Sequence, residues 1–451
     1  MVKHTSVSAP MTKDLLMKYT FVALCIIAVL SYLSYGFDSI IISAIAVLVA
    51  IACDYLLSLI MGEKGPLNTM SAAVFGLIVA MSYSLGLPEM STETIPTLAG
   101  GYEQYLYPAL ISAVGLIVFK KLQGLAGRKY VNPAAIAKLL ILGLLFMPAI
   151  SSLLPGDHAL SIDLQNPRIE VNGFTYYPMD TSIFSPALIQ CYGSPSLDPA
   201  NPYTFGSAEN PLPDVLYTMV VQKYHGWVGG FSSIIVMAVG LALFAVCRVY
   251  IKWRITLTYL VTTAVFSGVM GVIFGGDIIL RVVFHLFTGS SIFLAFFMAT
   301  DPATTPLTRS GHIIFGAGLA ILTILIQTST GFLGGSILAL VIMNLTCPLL
   351  DRVGVPKVRK ERRSCGRLPK AKKFSEVRTT ECIRCGECLY VCSGRIPTVS
   401  IKEAVEKGDW ARVKKLGAEY CQQCGTCSFV CPARIDLKGI MLYAKEKILK
   451  Q

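Results

Sequence analysis

"IIISAIAVLVAIACDYLLSLI" extends from Ile40 to Ile60 and contains a single charged residue, Asp54. A helix needs about 20 apolar residues to cross the hydrocarbon core of a bilayer, and this stretch has that length. In the whole chain of 451 residues, 54% are hydrophobic and 15% are charged, whereas about 25% of the residues in a soluble domain are charged. The sequence therefore predicts a membrane protein.

Ten apolar stretches in the first 350 residues are long enough, or nearly so, to cross a membrane as helices. They lie at residues 17–35, 40–60, 68–86, 105–119, 134–154, 228–250, 255–275, 279–299, 312–328 and 331–350. We expect an all-α polytopic membrane domain over residues 15–350, with a tail over residues 1–14 before it and a long polar loop at residues 155–226.

Basic residues in the connections between the predicted spans alternate to one side. They include Lys13 and Lys18, "KKLQGLAGRK" from Lys120 and "CRVYIKWR" from Cys247. Because basic loops stay in the cytoplasm, this pattern predicts cytoplasmic N- and C-termini and an external 155–226 loop. The expected location is the inner membrane of a prokaryotic cell.

The C-terminal part of the chain is basic. Of the 39 Lys and Arg residues, 23 follow residue 350, and eleven of these lie in a linker over residues 351–380. A basic segment next to a bilayer favours anionic lipid or an acidic protein partner. We expect no nucleic-acid binding, because no nucleic-acid recognition motif accompanies these charges.

Two runs, "CIRCGECLYVC" from Cys382 and "CQQCGTCSFVC" from Cys421, each contain four cysteines in the spacing C-x2-C-x2-C-x3-C. A reducing cytoplasm disfavours disulfides, and bacterial ferredoxins use this spacing to hold two [4Fe–4S] clusters, the fourth thiolate of each run crossing to the other cluster. The predicted ligands are Cys382, Cys385, Cys388 and Cys431 for one cluster, and Cys421, Cys424, Cys427 and Cys392 for the other. Zinc sites and disulfides are the alternatives.

Residues 381–451 are therefore predicted to form a bacterial-ferredoxin-like domain. Gly386 and Gly425 let the backbone turn tightly inside each cysteine loop. Residues 398–420, between the two runs, are predicted to form two amphipathic helices.

"HLFTGSSIFLAFFMATDPATTPLTRSGHIIFGAGLAILTILIQ" from His285, together with "KYVNPAAIAKLLIL" from Lys129, resembles the RnfD and NqrB family. Members of that family are large membrane subunits of ion-pumping Rnf and Nqr respiratory complexes. The two cysteine runs and the segment between them are similar to the two-cluster domain of the Rnf subunit RnfC. The resemblance implies other Rnf-like membrane and cytoplasmic redox subunits, and a soluble ferredoxin or similar electron donor, as partners.

The two halves of the membrane domain resemble each other, which predicts an internal duplication. "NTMSAAVFGLIVAMSYSLGLP" from Asn68 leads to an Asn-Pro turn at Asn132, and the second half has an Asp-Pro turn at Asp301. Five-plus-five inverted repeats place functional half-helices near the membrane midplane, and Gly- and Ser-rich stretches also allow close helix packing.

Ionisable and polar residues within or beside the apolar stretches are candidates for an ion path, because charge inside a membrane is costly. The candidates are Arg281, His285, Asp301 and Asn132. Asp54 and Lys138 lie near the ends of predicted spans, so their side chains are expected to extend to the membrane surface.

In the resembled family, a flavin mononucleotide is joined by a phosphoester to a Thr of the outer loop, in a pattern close to S-x-A-T-P-L. The counterpart here, "FGSAENPLPDV" from Phe205, places Asn210 at the threonine position, and Asn has no hydroxyl to form the ester. The candidate residues for flavin (FMN or another) are Asn210, Ser207, Thr204 and Ser185. Either a flavin is held without a covalent bond or is absent, or another residue of the loop carries it.

These features predict an electron-transfer subunit of an Rnf-like complex that passes low-potential electrons through two clusters and helps to couple this flow to Na+ or H+ translocation. The alternatives are a redox-sensing ion or solute transporter and a non-pumping anchor that delivers ferredoxin electrons to quinone. No nucleotide-binding loop or nucleophilic triad is readable. We therefore expect activity within a translocating oxidoreductase rather than from the chain alone.

Overall fold

The computed structural model describes most of the helical part of the chain. The described residues are 13–60, 69–83, 103–122, 129–141, 169–171, 174–176, 220–221, 227–248, 250–274, 278–287, 291–330, 335–354 and 381–449. They form a bundle of apolar helices and, from residue 381, a small helical domain that contains both cysteine runs.

The bundle is built from twelve described helices. They are α1 (Lys13–Leu30), α2 (Tyr32–Tyr35), α3 (Phe37–Ile60), α4 (Thr69–Met81), α5 (Glu103–Val114), α6 (133–141), α7 (Ser233–Cys247), α8 (Trp253–Phe274), α9 (Ile278–Phe287), α10 (Ser291–Phe293), α11 (Arg309–Thr330) and α12 (Gly335–Leu350). Helices α5 and α10 continue as π-helical segments, Gly115–Leu122 and Leu294–Met298, and a 3-10 turn, Val228–Gly230, precedes α7.

The cysteine-rich domain has five short helices. They are α13 (Glu387–Tyr390), α14 (Thr398–Glu406), α15 (Trp410–Lys415), α16 (Thr426–Phe429) and α17 (Leu437–Leu449), with a 3-10 turn at Ala418–Tyr420. The two amphipathic helices predicted between the cysteine runs are confirmed as α14 and α15. Asp409 begins α15, because its side chain accepts a hydrogen bond from the Arg412 N–H and so caps the first turn.

Within the described residues, four helices are long and apolar enough to cross a membrane: Lys13–Tyr35, Phe37–Ile60, Trp253–Ile273 and Arg309–Ile326. Three shorter apolar helices lie at Thr69–Met81, Ser233–Cys247 and Ser336–Leu350. These seven fall on seven of the ten predicted spans. The number ten itself stays a prediction.

The outer surface of the bundle carries large apolar side chains. Val22, Leu48, Val265, Val272 and Leu345 are each more than 45% exposed. Exposed apolar side chains in this number are uncommon on soluble monomers, and they suit contact with lipid chains.

Glycines allow the central helices to approach closely. A Cβ at Gly76 in α4 would lie 2.6 Å from the carbonyl oxygen of Ala46 in α3. A Cβ at Gly316 in α11 would lie 2.7 Å from the carbonyl oxygen of Ile255 in α8. Close packing, the second interpretation of the Gly- and Ser-rich stretch that begins at Asn68, therefore applies to Gly76.

A short antiparallel hairpin departs from the all-α prediction. Strand Ile169–Val171 pairs with Phe174–Tyr176, so that Glu170 lies opposite Thr175. The sequence between them is Asn-Gly, the pair that two-residue hairpin connections prefer. The hairpin falls inside the predicted 155–226 loop.

Candidate electron-transfer site

The two cysteine runs have the same backbone conformation, 39 residues apart. Helix α13 begins at Glu387 and α16 at Thr426, and both are preceded by a left-handed glycine. Gly386 has φ of 83° and Gly425 has φ of 78°, which confirms the tight turns predicted at both glycines.

Four residues in or just after these runs also adopt positive φ, although they carry side chains. They are Arg384, Arg395, Gln423 and Arg434, with φ between 54° and 60°. Few non-glycine residues adopt this conformation, and it persists where the surrounding structure enforces it, often at functional sites. Arg384 is equivalent to Gln423, and Arg395 to Arg434, so the same constrained backbone conformation occurs around both sets of cysteines.

Backbone amides in these loops point at cysteine sulfurs. The Arg384 N–H donates to Cys382 Sγ and the Gln423 N–H to Cys421 Sγ, both at 3.4 Å. The Ile396 N–H donates to Cys392 Sγ, also at 3.4 Å. Such bonds favour a thiolate and are used around metal centres to orient the ligands.

The fold brings each run together with the fourth cysteine of the other run. Cys431 acts electrostatically on Cys385 and Cys388 in the first run, as Cys382 also does. Cys392 acts in the same way on Cys421 and Cys427 in the second run. A pocket between them is lined by Cys392, Cys421, Cys424 and Cys427. The cysteines that lie close together are therefore those predicted to share a cluster.

Within the described residues, no group of three or more His, Cys, Asp or Glu side chains converges on a single point as the ligands of one metal ion would. Burial raises the pKa of Cys385 to about 12 and that of Cys427 to about 11. These thiols are protonated near neutral pH unless a metal centre displaces the protons.

The first cysteine run packs against the bundle. Leu307, from the loop between α10 and α11, is 5% exposed and lies in one apolar cluster with Cys388, Cys427 and Cys431. Ile383, next to the first cysteine, joins the core of the bundle. A bundle loop thus shares an apolar cluster with cysteines of both sets.

Polar contacts fix this interface. Arg384 Nη2 lies 2.7 Å from Asp351 Oδ2 at the end of α12, and the same guanidinium contacts Glu403 in α14. The other oxygen of Asp351 accepts a hydrogen bond from the Leu307 N–H at 2.8 Å. The Tyr390 hydroxyl donates to the Leu307 carbonyl oxygen at 3.1 Å. One carboxylate therefore joins the bundle loop to the cysteine loop.

Basic residues of the bundle meet the domain on the same side. Lys129 Nζ lies 3.8 Å from Glu381, and the Lys13 N–H donates to the Pro432 carbonyl oxygen at 3.0 Å. The guanidinium of Arg309 lies 4.2 Å above the ring of Tyr390. The side of the bundle that carries these basic residues is thus the side that carries the cysteines.

The middle of the second cysteine run faces outward, at Gln423 and Cys424. Cys424 and Gln423 are exposed, and Lys445 Nζ donates to the Cys421 carbonyl oxygen at 2.9 Å from within the same domain. A Cβ at Gly425 would lie 3.4 Å from the Lys438 side chain, whereas a Cβ at Gly386 would meet the Leu307 carbonyl oxygen of the bundle. The two runs therefore share a backbone and differ in surroundings.

Lys252 orders the loop that touches the cysteines, although the sequence did not identify it as a candidate. Its ammonium donates to the Pro302 carbonyl oxygen at 2.9 Å and to the carbonyl and hydroxyl oxygens of Thr305 at 3.1 and 2.9 Å. In the sequence, Lys252 is marked by its position in a short basic connection after α7. Such a connection looks like an ordinary cytoplasmic loop.

The candidate ion-path residues have mixed settings. The Asn132 side-chain oxygen accepts bonds from the Ala134 and Ala135 N–H groups and so starts α6. Asp301 accepts from the Ala303 N–H in the same way. His285 is buried, at 8% exposure. Arg281 lies in α9, and its side chain is outside the described residues, as are the candidate flavin residues Asn210, Ser207, Thr204 and Ser185. An ion path through these residues stays a prediction.

Asp54 and Lys138 are buried within the bundle. Asp54 is 2% exposed and pairs with Lys121 at 3.1 Å. Lys138 is 6% exposed, and its ammonium bonds to the Ser82 carbonyl oxygen. Tertiary contacts thus supply each side chain with a partner inside the bundle, and its position relative to the membrane surface stays a prediction.

The sequence of the chain is similar to that of a known protein family. The model of the NQR2, RnfD, RnfE family matches residues 2–360. The chain belongs to this family. Membership and the apolar helices together make it a multi-pass membrane protein, and the resemblance to RnfD and NqrB is confirmed. The cysteine runs lie beyond the matched residues, so the likeness to RnfC stays a prediction.

Several RnfD relatives share most of their length with the chain. It is 26% identical over 297 residues to the D subunit of the ion-translocating oxidoreductase complex of Pectobacterium atrosepticum, covering 65% of this chain and 80% of that protein. It is 24% identical over 341 residues to the D subunit of the Na(+)-translocating ferredoxin:NAD(+) oxidoreductase complex of Acetobacterium woodii, covering 74% and 88%. A 142-residue segment is 36% identical to the proton-translocating counterpart of Clostridium ljungdahlii, covering 31% and 41%.

Proposed function

We propose that this RnfD-family chain is an electron-transfer subunit of an Rnf-like membrane complex, and that its C-terminal domain holds two [4Fe–4S] clusters. The observation that carries the proposal is the packing of the first cysteine run on the bundle through Leu307, Asp351 and Arg384. This packing places the first cysteine set next to the membrane bundle, where an electron could pass between them over a short distance.

The residues fit the proposed clusters. A [4Fe–4S] cluster takes one thiolate on each iron, so its four sulfurs surround it rather than meet at a point. The ligand sets are Cys382, Cys385, Cys388 with Cys431, and Cys421, Cys424, Cys427 with Cys392. When bound, the clusters would supply one-electron carriers at low potential.

The chain's own residues position and shield this site. Arg384 and Asp351 hold the first cysteine loop on the bundle, and Leu307 adds apolar cover to the cluster that contains Cys388 and Cys431. Lys252 fixes the loop that carries Leu307. The exposed Cys424 leaves the second set open to an electron donor in solution. The difference in burial supports entry at the second set and exit toward the bundle from the first.

The names of the relatives support the partners and the coupling. The D subunits of Acetobacterium woodii and Clostridium ljungdahlii are named as parts of Na(+)- and proton-translocating ferredoxin:NAD(+) oxidoreductase complexes. We extend this to the chain as assembly with other Rnf-like subunits, a ferredoxin-like donor and coupled movement of Na+ or H+. A flavin in the outer loop would be held without a bond to Asn210, because an amide side chain forms no phosphoester.

Orientation is tested with reporters. A reporter fused after Gln451 should read cytoplasmic, and one inserted after Asp198 should read external, because the basic connections lie on the side of the cysteine domain. An external reading after Gln451 would overturn the orientation.

Turnover of the purified complex in liposomes separates the three functions. Reduction of the clusters in proportion to turnover is expected for an electron carrier and would exclude a redox-sensing transporter. An ion gradient that builds during the same turnover is expected for a coupled pump. Electron transfer to quinone with no gradient would instead support the non-pumping anchor.

A further inference from the structure

Helix α6 lies between the ends of two short helices, one from each half of the bundle. The Asn132 amide at its start donates to the Met298 carbonyl oxygen, at 3.3 Å, at the end of the π-helical segment after α10. Six residues later, the Lys138 ammonium donates to the Ser82 carbonyl oxygen, just past the end of α4. Both donors therefore meet a carbonyl group at the end of a short helical segment.

Lys138 is enclosed by aromatic and aliphatic groups. Its ammonium lies 4.6 Å from the centroid of the Trp227 ring, which is itself 6% exposed. The Trp227 ring lies 6.3 Å from that of Phe293, at 81°. Among the described residues no acidic side chain acts on Lys138. Its positive charge is met by a carbonyl group and an aromatic face.

The backbone around this ammonium is tightly built. The Val228 N–H donates to the Tyr83 carbonyl oxygen at 2.9 Å and so joins the 3-10 turn to the end of α4. A Cβ at Gly229 would lie 2.7 Å from Met81 and 2.8 Å from Phe293. Chain segments 81–83, 227–230 and 291–298 thus meet at one junction, with Lys138 beside it.

The carbonyl end of a helix carries partial negative charge and attracts cations. In transporters with broken helices, such ends and nearby unwound carbonyls coordinate the transported cation near the membrane midplane. A buried ammonium inside a membrane bundle is costly and usually functional. At this junction Lys138 occupies the position that a free cation would take.

We propose that the carbonyl end of α4, at Ser82, is a binding site for a monovalent cation, and that the Lys138 ammonium is a tethered cation that a transported ion displaces. This inference rests on the proposed function, because it assigns a place in the bundle to the ion whose movement is coupled to electron flow. The tethered charge keeps the site filled when no ion is passing.

The test uses the complete complex in liposomes, with ions moved per electron as the readout. Lys138→Met removes the charge and keeps the length, and Lys138→Gln also keeps a donor for the Ser82 carbonyl. The matched control is Lys120→Met, because Lys120 Nζ donates to the Ser71 carbonyl oxygen, at 2.6 Å, near the other end of α4. Both Lys138 variants should lose ion movement and keep electron transfer, whereas the control should keep both. Ion movement per electron equal to wild type in Lys138→Gln would overturn the proposal.

A second readout does not depend on turnover. Because Lys138→Met vacates the site, the thermal midpoint of the purified complex should rise when NaCl replaces choline chloride at constant ionic strength. Wild type and Lys120→Met should respond less, because in both the Lys138 ammonium competes with the added ion. If wild type transfers electrons without moving ions, the coupling in the proposed function fails, while this response still reports the binding site. Equal responses in all three proteins would overturn the site itself.

Discussion

The two cysteine loops are alike in backbone and opposite in environment. Gly386 and Gly425 adopt nearly the same left-handed φ, and each is followed by a four-residue helix. Yet Cys385 in the first loop packs against the core of the bundle, whereas its equivalent in the second loop, Cys424, is exposed. The repeated motif therefore specifies the shape of each loop, and the neighbours of each copy set its exposure.

The largest expected effect comes from cutting the crossed ligation. Cys431→Ala should remove about half the iron, because it takes one ligand from the cluster whose other ligands are in the first run. Adding Cys382→Ala should remove no more, since both residues serve the same cluster. Adding Cys421→Ala instead should remove nearly all of it. Iron analysis of the purified variants decides, and additional loss in the first double variant would contradict the crossed sets.

The next effect concerns the charge that joins the first loop to the bundle. Arg384→Gln should lower the free energy of unfolding by about 3 kcal/mol, because it leaves the partly buried Asp351 and Glu403 without their cation. The equivalent residue in the second loop is the exposed Gln423, and Gln423→Arg should change stability by less than about 0.5 kcal/mol. Thermal unfolding in detergent measures both. Equal effects would mean that the two loops do not differ in docking.

Alanine substitutions at Gly386 and Gly425 also distinguish the two loops. Each substitution forces a side chain into the left-handed region, which costs about 1–2 kcal/mol. At Gly386 the new Cβ would also lie 3.1 Å from the rigid Leu307 carbonyl oxygen, whereas at Gly425 it meets the flexible Lys438 side chain at 3.4 Å. Gly386→Ala should therefore destabilise more, by about 1 kcal/mol. The order of the two unfolding midpoints checks this, and a reversed order would contradict it.

The smallest effect concerns one hydroxyl group. Tyr390→Phe removes the hydrogen bond to the Leu307 carbonyl oxygen and should cost about 1 kcal/mol. The equivalent residue in the second loop is already Phe429, which is 56% exposed. Phe429→Tyr should be neutral, within about 0.5 kcal/mol. Denaturant unfolding of both variants measures the difference, and a neutral Tyr390→Phe would show that this contact does not hold the loop.

Local features of the chain were readable from its sequence. The turns at Gly386 and Gly425 followed from the need for positive φ in a tight ligand loop. Helices α14 and α15 followed from their amphipathic pattern, and the long span α3 followed from its uninterrupted apolar run. Each of these signals lies within about twenty neighbouring residues.

Contacts between distant segments were not readable. Arg384 occupies a variable position of a C-x2-C motif, and nothing near it in the chain points to Asp351, 33 residues earlier. Hydropathy alone puts Lys138 near a membrane surface, because it fixes only the approximate end of the helix. Lys138 contacts Ser82 and Trp227, which lie 56 and 89 residues away in the chain. Only the packing of the bundle brings these residues together.

The most direct test of the account is the metal content of the whole chain. Protein purified without oxygen should contain about eight iron and about eight acid-labile sulfide per chain, and reduction should give two interacting S = 1/2 centres by electron paramagnetic resonance. Stoichiometric zinc without iron, or cysteines paired as disulfides in the cytoplasm, would contradict the central claim that this RnfD-family chain carries electrons.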